Sequence, residues 1–529
     1  MITNSQRLLY KSLYIFIFGF FLFKVYQYRH PDFGYSALPM FSQNNYEQSV
    51  ETLKTTSHYT FPGDIGYDGQ FYAQLALEPK ANSLEIQEAL DNYNYRARRI
   101  LFSWTAWAIG LGDPYWSIQA YGIQNSLFWL LIAALLLRWL PPNSWQNTLR
   151  YLFSLFTAGL VYSLNRALLD GPSLFLIALG IACIEANRSW LGTAILGLAG
   201  IGKETNLLAI SALWKPGTEN AKTRFAFQAI LASLPFLLWY AYILNSNTES
   251  LSQAAGSNNF ALPLVGIFST ALGILKKGGE TGFPASTFIQ FAMLGSLLIQ
   301  AAYILFRPKP DRPWWRVGAT FAVLMLVLGD AVWEGIEAAP RVLLPMTFAF
   351  NLLFSRKLAL LPILIFANTL SIVGLFSMQP PSVPERFTVK GQGILAYVEE
   401  TNEYEQLEFH NGWHPYQGNP KRYWRWSSGS GEMSFRIPGE RSVNATISFL
   451  TKTIDSRELN LEVNGKRVWQ YQSPGGYSET HTTSFILKPG DNVLRISSPQ
   501  PPIRVGQDPR DLNFAFYDYT IKLISAVAN

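Results

Sequence analysis

Long apolar runs dominate the chain up to about residue 380, and period-two alternation of polar and apolar positions follows from about residue 400. A run of about 20 apolar residues can cross a bilayer as a helix. The pattern therefore predicts a polytopic helical membrane domain with about eleven spans. Their predicted limits are 8–28, 115–138, 150–166, 171–187, 189–202, 205–214, 224–243, 285–306, 316–333, 341–355 and 357–377.

Positive charges recur in alternate loops of this pattern. Arg7 and Lys11 precede the first run, and no small-residue cleavage site follows it, so we interpret it as an uncleaved anchor. Basic residues prefer cytoplasmic loops, which places the N-terminus inside together with Arg188, Lys215 and Arg356. An odd number of spans then puts the C-terminal part and the first loop on the outer face.

The change of periodicity near residue 385 predicts two domains, a transmembrane domain over 1–384 and an outer all-β domain over 385–529. In the second, short alternating runs are separated by turn residues, and Asn464-Gly465 is a strong hairpin signal. The simplest architecture for this pattern is an antiparallel β-sandwich of jelly-roll type.

Two aromatic stretches open the outer domain, at 412–416 and 423–427. They would form either a sugar-stacking platform or the packing of the sandwich against the membrane domain, and buried packing is the commoner role of such rings. Near the last strand, Asp508, Arg510 and Asp511 predict a structural ion pair.

The first outer loop, 29–112, is long and polar before it becomes amphipathic. Arg96, Arg98 and Arg99 lead into an apolar segment too short to span a bilayer. We predict that 98–112 is a helix lying at the interface, with its tryptophans among headgroups and its arginines near phosphates. The alternative is a buried hydrophobic segment.

Composition narrows the class of protein. Charged residues make up 15% of the chain, against about 25% in soluble domains, which favours a membrane protein. We assign the net charge of +6 to cytoplasmic loops rather than to a nucleic-acid site. The single cysteine, Cys183, excludes an internal disulfide, and the five scattered histidines make a zinc site improbable.

Candidate chemistry is concentrated in the loop after the first span. Asp64 and Asp68 stand four residues apart among glycines and aromatics, and Gln70 and Tyr72 follow. Carboxylates at a membrane edge can accept a proton or hold a metal ion, and aromatic rings stack on sugar faces. These features suggest chemistry on a lipid-linked substrate. The alternative is a loop whose aspartates cap helices.

This arrangement resembles the GT-C superfamily of polytopic glycosyltransferases, in an uncharacterised bacterial lineage with an appended β-sandwich. The resemblance rests on the acidic first outer loop with Tyr67-Asp-Gly-Gln-Phe-Tyr72, on Asp170-Gly-Pro, on Gly202-Lys-Glu-Thr and on Arg341 before Leu-Leu-Pro. It implies transfer of a sugar from a polyprenyl-phosphate donor to a glycan, lipid or protein acceptor. The implied location is the outer face of the bacterial cytoplasmic membrane, in contact with membrane lipids.

The resemblance also implies residue roles. Asp64 would be the base, and Asp68 its partner, an anchor for the acceptor hydroxyl or, with Asp64, a ligand of Mg²⁺ or Mn²⁺. Lys203 and Arg341 would bind the lipid phosphate. The further substrate-binding candidates are Gln70, Tyr72, Asp170 and Glu204.

Other roles stay open for these residues. Lys203 could pair with Glu204, and Arg341 with Glu337, as structural ion pairs. At the level of the whole chain, a flippase of polyprenyl-linked sugars and a non-catalytic glycan-binding scaffold are the alternatives. A flippase would favour internal repeats and charges in mid-membrane, whereas no repeat is evident and these charges stand at predicted helix ends.

Overall fold

The computed structural model describes residues 4–30, 33–61, 66–217, 220–246, 259–281, 284–381, 388–390, 408–415, 417–419, 422–437, 442–506 and 508–526. The chain forms two compact units. The first comprises 1–41, 45–53 and 66–381, and the second comprises 42–44, 54–65 and 382–529.

The first unit is helical. Its α-helices in the described residues are α1 Asn4–Gln27, α2 Glu51–Lys54, α3 Gly69–Leu77, α4 Leu84–Ala89, α5 Tyr93–Ala97, α6 Leu101–Ile109, α7 Pro114–Leu136, α8 Trp145–Leu155, α9 Ala158–Asn165, α10 Asp170–Glu185, α11 Ser189–Gly202, α12 Ala221–Ser246, α13 Val265–Thr281, α14 Ala285–Phe306, α15 Pro313–Leu326, α16 Asp330–Trp333, α17 Ala338–Val342, α18 Leu344–Leu353, α19 Leu361–Phe366 and α20 Thr369–Ser377. A 3-10 helix over Glu204–Leu213 follows α11.

Four described helices are long and apolar enough to cross a membrane, namely α1, α7, α12 and α14. A fifth span is possible if the bent pair Leu358–Phe366 and Thr369–Ser377, which meet at 49°, counts as one. The predicted eleven spans are therefore not confirmed. The predicted span 150–166 is divided between α8 and α9, 205–214 is a 3-10 helix, and α10, α11 and α15 have 16, 14 and 14 residues.

The long helices carry apolar side chains on their outer faces. In α12, Phe227, Ile230 and Leu238 are all more than half exposed. Burial of apolar surface drives the folding of a soluble protein, so a long helix with such a face would be costly in water. Inside the unit, buried polar side chains form hydrogen bonds with backbone groups. For example, the indole N–H of Trp129 on α7 donates to the carbonyl of Leu155 at 2.9 Å. These features indicate a membrane protein.

The second unit is built from β-strands. The described strands of the chain are β1 Phe41–Ser42, β2 His58–Phe61, β3 Thr388–Lys390, β4 Glu408–Phe409, β5 Gln417–Asn419, β6 Arg422–Trp426, β7 Ser430–Ile437, β8 Val443–Thr453, β9 Arg457–Val463, β10 Lys466–Ser473, β11 Gly476–Tyr477, β12 His481–Leu487, β13 Gly490–Ser497 and β14 Phe514–Ala526.

Two antiparallel sheets form the sandwich. One has the order β10-β9-β13-β7-β4, and the other has β11-β8-β14-β6-β5 with β12 on β8. The predicted hairpin is confirmed, because Lys466 pairs with Val463 across Asn464 and Gly465, both at positive φ as a type I′ turn requires. The alternating inward side chains, such as Phe449, form a core that excludes water.

The first loop also contributes to this unit. Strand β2 pairs antiparallel with β3, with Tyr59 opposite Val389. The predicted division assigned the whole of 29–112 to the membrane domain, whereas residues 42–44 and 54–65 belong to the second unit. A periodicity pattern cannot predict pairing between distant strands, because the alternation within a strand shows only which of its own side chains share a face.

The aromatic stretches pack inside the sandwich. Trp413 lies against Phe514, with ring centroids 5.8 Å apart, Trp426 is buried, and Trp424 stacks on Tyr517 at 5.3 Å. These contacts stabilise the sandwich's own sheets, and the two predicted roles of the aromatic stretches stay predictions.

The ion pair predicted near the last strand is confirmed for one couple. Arg510 binds Asp508 at 2.7 Å. Asp511 binds Arg504 instead, also at 2.7 Å.

Candidate active site

A cavity of about 360 Å³ lies in the helical unit and gathers charged side chains from several elements. Its volume is in the range of small-molecule sites, about 300–1,000 Å³. The acidic lining residues are Asp68, Asp170 and Glu204, and the basic ones are Arg98, Arg99, Lys203 and Arg341. They come from the start of α3, the α5–α6 junction, the start of α10, the end of α11 and α17.

Asp68 stands immediately before α3 with its side chain 40% exposed. The predicted capping role is wrong, since its carboxylate accepts no bond from the helix that follows. Instead Arg96 donates to Oδ1 at 2.8 Å and also binds Asp91 at 2.7 Å. Burial acts to raise the pKa of Asp68, but the Arg96 guanidinium outweighs it and the pKa lies below its usual value.

The glycine after Asp68 explains how α3 reaches this position. A Cβ on Gly69 would collide with the backbone carbonyl of Arg166 and crowd that of Pro39. Only glycine allows the backbone of residue 69 to come this close to those two carbonyls. This contact fixes the position of the first turn of α3 and therefore the position of Asp68.

Tyr72 follows one helical turn later and also lines the cavity. Its buried hydroxyl accepts hydrogen bonds from Arg99 at 3.2 Å and, more weakly, from Arg96 at 3.4 Å. Tyr72 therefore orients two arginines. Gln70, a predicted substrate-binding residue, is buried on α3 and lies outside the described lining of the cavity.

Asp170 holds two of the cavity's cations. Lys203 donates to Oδ1 at 2.6 Å, and Arg341 donates to Oδ2 at 3.4 Å. All three side chains are largely buried, with 6%, 12% and 12% exposed. The predicted Lys203–Glu204 pair is wrong, because Lys203 follows the last residue of α11 and turns toward the start of α10, while Glu204 begins the 3-10 helix and faces the α5–α6 junction.

Glu204 binds two arginines that the sequence prediction had placed among lipid headgroups. Arg98 reaches Oε1 at 2.7 Å, and Arg99 donates from Nε to Oε2 at 2.7 Å. The Tyr95 ring lies under both guanidinium groups, 4.8 Å from Arg98 and 4.0 Å from Arg99. Burial opposes ionisation of Glu204, but its two arginines hold the pKa well below the usual range.

Arg341 makes further contacts at the other end of the cavity. It donates to the Tyr67 hydroxyl at 3.2 Å and to the backbone carbonyl of Glu337 at 3.1 Å. The predicted side-chain pair with Glu337 is wrong, because that carboxylate binds Arg166 at 3.5 Å. Residue Arg341 sits one helical turn after Glu337, so its guanidinium reaches the carbonyl of that turn.

Asp64, the predicted base, lies outside the described residues. Its role and that of a Mg²⁺ or Mn²⁺ ion shared with Asp68 stay predictions. Within the part of the chain that the structure describes, no three acidic, histidine or cysteine side chains converge as a metal site. Asp68 alone fits a metal poorly, since Oδ1 already accepts the Arg96 hydrogen bond.

The arrangement defines what the cavity can hold. Four basic and three acidic side chains line it, which leaves one positive charge in excess. Apolar side chains, among them Leu169, Leu324 and Val342, complete the wall. A ligand that combines a negative charge with an apolar part would match both features.

Comparison with known proteins gives weak similarities. No family model matches the chain, and no curated protein matches it. The arabinosyltransferase EmbB from Mycobacterium smegmatis is 11% identical over 92% of this chain and 64% of EmbB, with a TM-score of 0.28. The chain therefore spans just under two thirds of that protein's length.

Two other solved structures resemble a smaller part. A family 35 carbohydrate binding module from Clostridium thermocellum is 15% identical over 22% of this chain and 87% of the module, with a TM-score of 0.15. A ruminal GH26 endo-beta-1,4-mannanase is 13% identical over 19% of each chain, with a TM-score of 0.14. At these identities and TM-scores, none of the similarities carries an argument about what this chain does.

Proposed function

We propose that this chain is a membrane glycosyltransferase that transfers a sugar from a polyprenyl-phosphate donor to an acceptor hydroxyl at the outer face of the cytoplasmic membrane. One observation carries the proposal. A partly exposed carboxylate, Asp68, faces a cavity with four basic side chains and an apolar wall, in a unit whose long helices expose apolar faces.

The basic side chains suit the leaving group. When the glycosidic bond breaks, negative charge develops on the lipid phosphate, and fixed cations in a partly dry cavity stabilise that charge. Lys203 and Arg341 are the best placed, because Asp170 fixes both of them at its two oxygens. Arg98 and Arg99 are held in the same way by Glu204. Binding a phosphate then requires little reorganisation of these groups.

The base comes from the acidic loop. A general base must be ionised and within hydrogen-bonding reach of the hydroxyl from which it takes a proton. Asp68 lines the cavity, and its lowered pKa keeps it ionised at neutral pH. Asp64 stands four residues earlier and stays in the proposal as the base predicted from the sequence, with Asp68 as its partner.

The test is transfer from a panel of radiolabelled polyprenyl-phosphate sugars by the purified full-length protein in lipid nanodiscs. We expect transfer by the wild type and a loss of at least about 100-fold in kcat when the base is removed, as is typical of general-base catalysis. Asp64→Asn and Asp68→Asn are compared, and the more damaging substitution identifies the base.

The matched control is Glu88→Gln, which neutralises an exposed carboxylate on α4 that lines no part of the cavity. It should transfer at the wild-type rate. Equal transfer by wild type and both aspartate variants would refute a base in this loop. A flippase of the same lipids would instead move labelled donor across vesicle membranes with no transfer, and that movement would survive both substitutions.

A further inference from the structure

A second concave site lies beside the cavity and belongs to none of the roles above. It is a groove of about 790 Å³ between α13, the start of α14 and the segment around α16, called here the acidic groove. The side chains that matter are Asp330, Glu334, Trp333, Gln290, Ser269 and Lys277. Phe260 and Ala331 line both the groove and the cavity, so the two sites adjoin.

Helix α13 turns its polar side toward the groove. Ser269, Thr270 and Lys277 line the groove together with Gly273 and Ile274, whereas Phe268 and Leu272 on the other side are more than 60% exposed. A helix that presents apolar residues outward and polar residues inward is the reverse of a water-facing surface helix. At a membrane, such polar groups are retained where they line an aqueous or ligand-filled space.

A buried donor at the groove also lacks a partner. Trp333 is 2% exposed, and among the described residues its indole Nε1–H has no hydrogen-bond acceptor. A buried N–H without an acceptor costs roughly 1–3 kcal/mol, so native proteins usually satisfy it. This N–H is buried out of reach of a ligand in the groove, so Trp333 contributes its apolar ring to the groove wall.

The polar groups select the chemistry of that ligand. Two carboxylates, Asp330 and Glu334, accept hydrogen bonds from hydroxyl groups, and they outnumber the one basic side chain, Lys277, among the described lining residues. The Gln290 amide both donates and accepts, and Ser269 already donates to Asp330, which orients that carboxylate. Carboxylates, an amide and an aromatic ring together recognise a neutral polyol.

We propose that the acidic groove is the subsite for the acceptor, a short neutral saccharide whose reacting hydroxyl enters the adjoining cavity past Phe260 and Ala331. The assignment of the ligand as the acceptor rests on the proposed transferase function. The cavity and the acidic groove differ in the sign of their excess charge, and we assign the two substrates to them on that basis. The cavity, with its excess of basic side chains, takes the phosphate-bearing donor, and the groove, with its excess of acidic ones, takes the uncharged acceptor.

Saccharide binding is tested without catalysis. Saturation-transfer NMR would be recorded on the full-length protein in nanodiscs with a panel of methyl glycosides and the matching octyl glycosides. We expect binding by wild type and by Asp68→Asn, at least tenfold weaker binding by Glu334→Gln and by Asp330→Asn, and unchanged binding by the control Glu88→Gln. Both groove carboxylates are exposed, so neither substitution should unfold the chain.

The outcomes separate the sources of the saccharide and the two proposals. Binding of both glycoside series indicates a soluble acceptor, and binding of the octyl series alone indicates a lipid-linked one. No binding by any glycoside, or equal binding by wild type and both groove variants, would overturn the subsite.

Kinetics test the acceptor role itself. In the transfer assay, Glu334→Gln should raise KM for the acceptor at least tenfold and leave KM for the donor unchanged. Saccharide binding that is lost in the groove variants, in a protein that transfers no sugar, would refute the transferase and the acceptor role while leaving a saccharide site at the groove. A rise in donor KM instead would overturn the division between the two sites.

Discussion

Replacing Asp170 with asparagine tests whether the cations of the cavity depend on one buried carboxylate. The substitution preserves the size of the side chain and removes its charge. Lys203 and Arg341 would then lie close together in a largely buried site, with no anion between them. The expected result is a large loss of stability, because two cations lose their counter-charge at once.

The magnitude follows from the distances. At an effective dielectric constant of about 20, unit charges 2.6 Å apart attract by about 6 kcal/mol, and charges 3.4 Å apart by about 5 kcal/mol. Desolvation of the three ions, at several kcal/mol each, offsets most of this attraction in the intact protein. Removing the anion leaves the cations buried, and the measured cost of breaking such a pair is about 3–5 kcal/mol.

The assay is equilibrium unfolding of the full-length protein by SDS in mixed micelles, followed by tryptophan fluorescence. Asp68→Asn is the matched comparison, because Asp68 is 40% exposed and its partner Arg96 keeps Asp91. We expect Asp68→Asn to cost less than Asp170→Asn, about 1 kcal/mol, because the buried Arg96 keeps a carboxylate partner and Asp68 itself is partly exposed.

A double substitution isolates the pair. Asp170→Asn combined with Lys203→Met should cost less than the sum of the two single changes, because the second removes a cation that the first leaves unpaired. The reasoning would be refuted if Asp170→Asn were no more destabilising than Asp68→Asn, or if the double variant lost the full sum.

Three further predictions concern other contacts. Gly374→Ala should destabilise the helical unit by about 1–3 kcal/mol in SDS unfolding, because the added Cβ would collide with the Phe156 carbonyl. The control is Gly295→Ala, whose Cβ meets no atom within 4 Å, and this substitution should be neutral or stabilising. Glu204→Gln should reduce donor binding in an equilibrium assay with labelled polyprenyl phosphate, since Arg98 and Arg99 lose the carboxylate that positions them; unchanged binding would contradict this. For pH, the lowered pKa of Asp68 places the acidic limb of kcat/KM below the ordinary value of about 3.9. Replacing Arg96 with glutamine raises that pKa, so the limb should move to higher pH, and an unmoved limb would exclude Asp68 as the base.

Local features of this chain were readable from its sequence. Alternation after residue 400 predicts strands because a strand turns successive side chains to opposite faces, and Asn464-Gly465 predicts a hairpin because both residues tolerate positive φ. The charged positions at helix ends, such as Asp170 and Lys203, stand out for a related reason. A charge beside an apolar run is costly unless it has a partner or a function.

The partners of those charges were not readable. Asp170 lies 33 residues from Lys203 and 171 from Arg341, and only tertiary packing brings them together. Adjacency predicts a Lys203–Glu204 pair, yet adjacent side chains at the end of a helix point in different directions. Arg98 and Arg99 belong to the cavity because they contact Glu204 in space, and the sequence gives no sign of that contact.

Short apolar helices explain the difference in the number of spans. A hydropathy pattern shows that 150–166 is apolar, but it does not show that α8 ends at Leu155 and α9 begins at Ala158. A buried short helix has the same composition as part of a span, because both exclude water. A membrane span differs from a short buried helix in the length of its continuous helix. Backbone breaks such as the one at Thr157 set that length.

The long separation between Asp170 and Arg341 has a consequence for biosynthesis. Lys203 is made soon after Asp170, so the two can form a pair with no net charge while the ribosome is still working. Arg341 joins them only when much of the remaining helical unit has been translated. The excess positive charge of the cavity therefore arises late, and a nascent chain that stops before α17 offers no completed anion site to the lipids around it.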